Sequence, residues 1–148
     1  MKKILIIVIY FIASCGYQPL YVDKNSPEIF YNEIQLKGNK DINRKIVSRL
    51  SIKKKNNAEL NNLVIESKEN IIESSKDAKG LVSTYKTNIE LKLTIKNENN
   101  IIDEKLFNKS FSYNNKDNKF DLAQYQAEVR NNIVNKIVEE LIVYFKIK

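Results

Sequence analysis

The chain has 148 residues, with 25 Lys and Arg against 18 Asp and Glu, no His, and a formal net charge of +7. Glycine occurs only as Gly16, Gly38 and Gly80, and cysteine only as Cys15. These counts exclude a histidine-dependent catalytic triad, a zinc site of His and Cys, a glycine-rich phosphate loop and an intramolecular disulfide. The adjacent carboxylates Asp103 with Glu104 and Glu139 with Glu140 have the character of solvated surface pairs, so no enzymatic activity, metal or cofactor is expected.

Met1, Lys2 and Lys3 give a positive start, and residues 4–12 form an apolar run as long as the core of a secretory signal. A bilayer-spanning helix needs about 20 apolar residues, so this run is too short to cross. Ala13 and Ser14 ahead of Cys15 resemble a bacterial lipobox, in which the cysteine is lipidated and everything before it is removed. Three parts follow: a lipoprotein signal peptide over 1–14, a lipidated tether over 15–27, and one folded domain over 28–148. The mature chain keeps 134 residues and, without Lys2 and Lys3, a net charge of +5. That excess attracts anionic partners, and export favours acidic headgroups or phosphorylated glycolipid over nucleic acid.

Residues 29–36 alternate as a first strand, which Gly38 and Asn39 break. Asn39 or Asp41 caps an amphipathic helix of about four turns whose apolar stripe is Ile42, Ile46, Val47 and Leu50. Lys53, Lys54 and Lys55 are expected at its C-terminus, where cations suit the helix dipole. Leu63 and Ile65 mark a second strand from about Leu60 that Ile71 and Ile72 prolong, followed by a polar loop over 74–80. Tyr85, Thr87, Ile89, Leu91, Leu93 and Ile95 occupy every second place of the third strand, so one face is buried and the other wet. Turn residues 97–100 join it to a fourth strand over 101–113 in an antiparallel hairpin. The apolar phase of that strand changes between Leu106 and Phe107, as a bulge there would make it.

A long helix runs from about Asp121 to Phe145. Ala123, Ala127, Val134, Ile137, Val138, Leu141 and Phe145 form its core face. Leu122, Tyr125, Val129, Ile133 and Val143 collect roughly opposite. A helix buried on one side does not need this second stripe, which reads either as a contact with another protein or as helix ends tucked under neighbouring loops in an isoleucine-rich chain.

The order strand, helix, strand, strand, strand, helix stands behind a mature start Cys15-Gly16-Tyr17-Gln18-Pro19-Leu20-Tyr21. Asp41-Ile42-Asn43-Arg44-Lys45-Ile46-Val47-Ser48-Arg49-Leu50 in the first helix, and Tyr113-Asn114 through Gln126-Ala127-Glu128 leading into the last, complete the pattern. Together they resemble the LptE family of outer-membrane lipopolysaccharide-assembly lipoproteins, in its alphaproteobacterial form. The family often has a glycine and an arginine before the third strand, where this chain reads Lys76-Asp77-Ala78-Lys79-Gly80. The resemblance implies an α+β fold, a two-layer sandwich of two helices on a four-stranded mixed sheet. It also implies an acyl anchor in the outer membrane, a place as plug inside the LptD barrel with the domain facing periplasm and lumen, and contact with lipopolysaccharide.

On that reading Lys76, Lys79, Arg44 and Arg49 are the candidates for lipopolysaccharide phosphates, and the second stripe of the last helix meets the barrel wall. The other open reading is a lipoprotein binding module or scaffold of a different class, such as one associated with the cell wall.

Overall fold

A computed structural model of the chain describes residues 28–98 and 100–147. The expected signal peptide, Cys15 and the expected tether lie outside these residues. The elements in order are β1 (Ile29–Tyr31), β2 (Ile34–Gly38), α1 (Lys40–Arg49), β3 (Ile52–Lys54), β4 (Asn62–Lys76), β5 (Val82–Asn97), β6 (Asn100–Asn114) and α2 (Lys119–Ile147). The main sheet has the order β2-β4-β5-β6, with β2 and β4 parallel and the other pairs antiparallel. Both helices cover one face of it, which gives the expected two-layer α+β sandwich.

The first predicted strand is two strands. Asn32 interrupts it: its N–H donates to the Asn61 carbonyl at 2.9 Å and its side-chain oxygen accepts from the Asn57 N–H at 3.2 Å. The chain thus joins the main sheet only after residue 32, with β2, and β1 pairs in parallel with β3 in a separate two-stranded sheet. Asn39 caps α1, accepting from the Asp41 and Ile42 amides at 3.1 and 3.2 Å. The helix stops at Arg49 rather than continuing into the lysines, because Ser51 turns the chain at φ 51°. Lys53 and Lys54 lie in β3, whose Ile52 is buried.

β4 runs to Lys76, so the predicted polar loop contracts to a tight turn over 77–80. The Asp77 carboxylate accepts from the amides of Lys79 at 2.8 Å and Leu81 at 2.9 Å. β5 follows its predicted alternation, with Thr87, Ile89, Leu91, Leu93 and Ile95 all buried. The irregularity in β6 is not at Leu106: pairing is continuous from Asp103 to Asn114 and shifts by one residue at Ile102, beside the hairpin. Leu106 and Phe107 simply face opposite sides, the first exposed and the second buried.

The core joins Ile42 and Ile46 of α1, the inward residues of β4 and β5, and Val134, Ile137 and Leu141 of α2. Asn118, not Asp121, caps α2, accepting from the Phe120 N–H at 2.8 Å. The Arg130 guanidinium meets Glu69 of β4 at 2.6 Å, and the other Glu69 oxygen accepts from Asn39 at 3.2 Å. This partly buried, charge-assisted chain ties α2 and the start of α1 to the same point of the sheet. Among the described residues no helix is long and apolar enough to cross a membrane.

Tyr31 is buried, and burial pushes its phenol up from the ordinary 10.0 to about 12. The fold holds this group neutral, while the unfolded chain ionises near the ordinary value. Its stabilisation is complete below pH 10 and is lost as pH rises toward 12. The expected loss is about 1.4 kcal/mol per pH unit across that window. Urea titrations in that alkaline range should show the loss in the native protein and a much flatter dependence in Tyr31→Phe.

Candidate functional site

Two surfaces carry the sequence candidates. The first is the far end of the β4–β5 hairpin. β2 pairs with β4 only as far as Ser67. At about 3.3 Å per residue, the nine further residues to Lys76 carry β4 about 30 Å beyond that point. Lys76 lies at the end of β4, 3.6 Å from Glu73, and Lys79 is exposed in the turn.

The loop after β6 joins the same end. The Asn115 N–H donates to the Ser83 carbonyl and its side-chain amide to the Val82 carbonyl, both at 2.8 Å. Lys116 follows, with its ammonium 5.1 Å from the Tyr125 ring centre. Leu81 and Phe120 are 65% and 74% exposed at this end. Lysines around exposed apolar side chains suit a ligand with both anionic groups and hydrocarbon. Lys116, Leu81 and Phe120 were not singled out from the sequence, because the pairing of Asn114 with Thr84 and the Asn115 hydrogen bonds, between residues far apart in the chain, bring Lys116 and the start of α2 to the hairpin that carries Leu81.

Arg44 and Arg49 do not belong to this cluster. Both are exposed on α1, which starts beside Ser67 and runs back along β2, away from Lys76. The four expected cations therefore divide between the two ends of the sheet.

The second surface lies between α2 and β6. α2 packs over β5 and β6, with α1 along its other flank, where the Lys45 ammonium donates to the Asn131 side-chain oxygen. With a sheet below and a helix beside it, α2 buries about half of its circumference. The predicted second stripe therefore does not face outward as a unit. Val129 and Ile133 are each 3% exposed and belong to the core, while Leu122 and Tyr125 are partly buried against it. Val143 alone of the five is exposed, and Ala123 and Ala127, expected in the core, are exposed instead.

Outside α2 on the β6 side is a cleft of about 510 Å³. Phe111, Tyr125, Val129 and Ile133 give it apolar walls, and Lys109, Glu128, Lys136 and Glu139 line it with mixed charge. Lys109 is drawn to Glu140 of α2. The aromatic floor continues toward the hairpin, with Tyr113 edge-on to Tyr125 at 5.6 Å and stacked on Tyr85 at 6.0 Å. No cluster of three or more potential metal ligands occurs among the described residues.

The fold is similar to that of rare lipoprotein B from Shewanella oneidensis. The TM-score is 0.56 at 12% identity over 76% of this chain and 96% of that one. It is also similar to a minor lipoprotein from Acinetobacter baumannii, with a TM-score of 0.54 at 12% identity over 78% of this chain and 90% of that one. Neither a protein-family model nor a curated protein sequence matches the chain.

Proposed function

We propose that this chain is an outer-membrane lipoprotein of the lipopolysaccharide-assembly machinery, lipidated at Cys15, which occupies an LptD-like barrel and contacts lipopolysaccharide. The observation that carries the reading is one fold standing behind one leader: the sandwich similar to rare lipoprotein B, a name borne by LptE proteins, follows a lipobox-like Ala13-Ser14-Cys15. Each buried acyl methylene contributes about 0.8 kcal/mol, so two or more chains on Cys15 hold the domain stably at a membrane where one barely does.

Since the second stripe of α2 is largely core, the surface assigned to the barrel wall moves to the open face of the sheet. Leu106, Ile101 and Ile72 are 61%, 58% and 52% exposed, among charged residues that include the Lys92–Glu104 pair. Barrel lumens are mixed and polar, which suits this face better than hydrocarbon does. The hairpin end, with Lys76, Lys79 and Lys116 around Leu81, is assigned to the glycolipid, its phosphates taken by the ammonium groups and its acyl chains by Leu81.

Extraction in mild detergent and affinity recovery test this reading against a cell-wall scaffold. Stoichiometric recovery with a large barrel protein is expected. Recovery alone or with cell-wall fragments would point to the other class of lipoprotein. Lys76→Glu with Lys79→Glu should weaken lipopolysaccharide binding about tenfold or more at low salt and much less at high salt, since exposed charges are screened beyond about 10 Å at 0.1 M. Unchanged binding at low salt would remove these two lysines from the site.

A further inference from the structure

The two edges of the main sheet differ. β2 has five residues and stops at the left-handed Gly38, and a short edge strand is a protected one. β6 has 15 residues and no proline, and its outer side has no strand beside it among the described residues. In an antiparallel ladder, residues alternate between bonding the neighbour and pointing away. The Asn115 N–H bond to the Ser83 carbonyl fixes the phase. Residues 107, 109, 111 and 113 bond β5, so the N–H and C=O groups of Asn108, Ser110 and Ser112 point outward, and all three residues are exposed. The devices that blunt such an edge are missing along this stretch. The bulge lies away at Ile102, and Lys109 is turned to Glu140 of its own chain.

We infer that an extended segment of the barrel partner adds to β6 as a fifth strand, with alternate side chains in the cleft beside α2. This rests on the proposed barrel partner and adds how that partner is held. The backbone selects a polypeptide. Outward N–H and C=O groups recur along the edge at every second residue, about 7 Å apart. Another extended main chain matches both, whereas the phosphates of a glycolipid accept from the N–H groups and leave the carbonyls bare.

The cleft selects the side chains. A fifth strand lies about 4.8 Å beyond β6 and so runs along the flank of α2, which sits over β5 and β6. Its residues opposite Lys109 and Phe111 turn to the helix side, where Phe111, Tyr125, Val129 and Ile133 favour apolar groups. Glu128, Lys136 and Glu139 also line the cleft and favour charges of both signs. None of these three forms an ion pair within the chain among the described residues. The edge is continuous with the sheet face assigned to the barrel, since Leu106, 61% exposed on that face, belongs to β6 itself. Barrels can carry loops folded into the lumen, and such a loop pairs with β6 while the barrel's own ladder stays closed.

The test is hydrogen exchange in the full chain in mild detergent, alone and in the complex recovered with the barrel. The amides of Asn108, Ser110 and Ser112 should exchange freely in the chain alone and at least about tenfold more slowly in the complex. A wall that touches only side chains of the open face would leave them unprotected. Ser110→Pro removes one outward N–H without touching the β5 ladder, a place where edge strands tolerate proline. It should lower recovery of the barrel at least about fivefold, while Ser110→Ala leaves recovery unchanged, with urea unfolding used to confirm that both variants are folded. Unprotected amides in the complex, or a folded Ser110→Pro that recovers as much barrel as Ser110→Ala, would overturn the proposal and leave the barrel partner standing. Failure of the wild-type chain to recover any barrel would remove the partner itself, and this inference with it.

Discussion

Replacing Val129 and Ile133 together by serine should cost the domain about 5 kcal/mol or more, most of the stability of an ordinary domain. Each side chain is 3% exposed, between α2 and the sheet. The change removes buried methyl groups, leaves cavities and places two hydroxyls where partners are scarce. The two sites are one turn apart, so their effects couple rather than simply add. Urea denaturation followed by circular dichroism checks this. A loss under about 1 kcal/mol would mean that the two residues lie on the surface, as their place in the second stripe suggests when the helix is considered alone.

Gly38→Ala is the second large effect. Gly38 has φ +80°, and a Cβ there would stand 1.9 Å from the Ser67 carbonyl oxygen. That oxygen belongs to a strand backbone and accepts from the Asn39 N–H at 3.1 Å, while the Ser67 hydroxyl donates to the Asn39 carbonyl at 3.1 Å. Relief of the clash must separate β2 from β4 next to the point where Asn39 caps α1. A left-handed conformation alone costs an ordinary residue about 1–2 kcal/mol. With the displaced backbone, about 3 kcal/mol or more is expected. Gly80 supplies the internal control, with the same φ of +80° and nothing within 4 Å of an added Cβ. Gly80→Ala should therefore cost only the conformational part, about 1–2 kcal/mol. Equal losses in the two variants would contradict the close approach of Gly38 to Ser67.

These two cases mark how much of the fold could be seen in the sequence. The alternation from Tyr85 to Ile95 was legible because β5 lies inside the sheet with one face fully covered, and that burial imposes a strict period of two. The stripe of α1, its Asn39 cap, the break at Gly38 and the β5–β6 hairpin depend on neighbours in sequence and were legible for that reason. The division of β1 from β2 was not, since it rests on Asn32 bonding to residues 57 and 61. The length of β4 was hidden as well. Its last residues are polar and exposed, and pairing with β5 extends the strand with no apolar pattern to announce it.

The candidate sites divide in the same way. Lys76 and Lys79 stay together because one tight turn holds both, whereas Arg44 and Arg49 are carried off by the direction of α1. The second stripe of α2 misleads because amphipathic periodicity assumes one buried side, and this helix has a neighbour on two. Val129 and Ile133 are spent on the sheet, and the apolar surface left exposed is on the open sheet face and at the hairpin end, where short exposed runs such as Ile71-Ile72 gave no clear signal.

The most direct test of the proposed function is depletion of this protein from the cells that make it, with lipopolysaccharide measured at the cell surface. Newly made lipopolysaccharide is expected to fail to reach the surface as the protein is depleted, the barrel partner to accumulate in an immature form, and the wild-type chain to restore both. Normal surface lipopolysaccharide after complete depletion would contradict it.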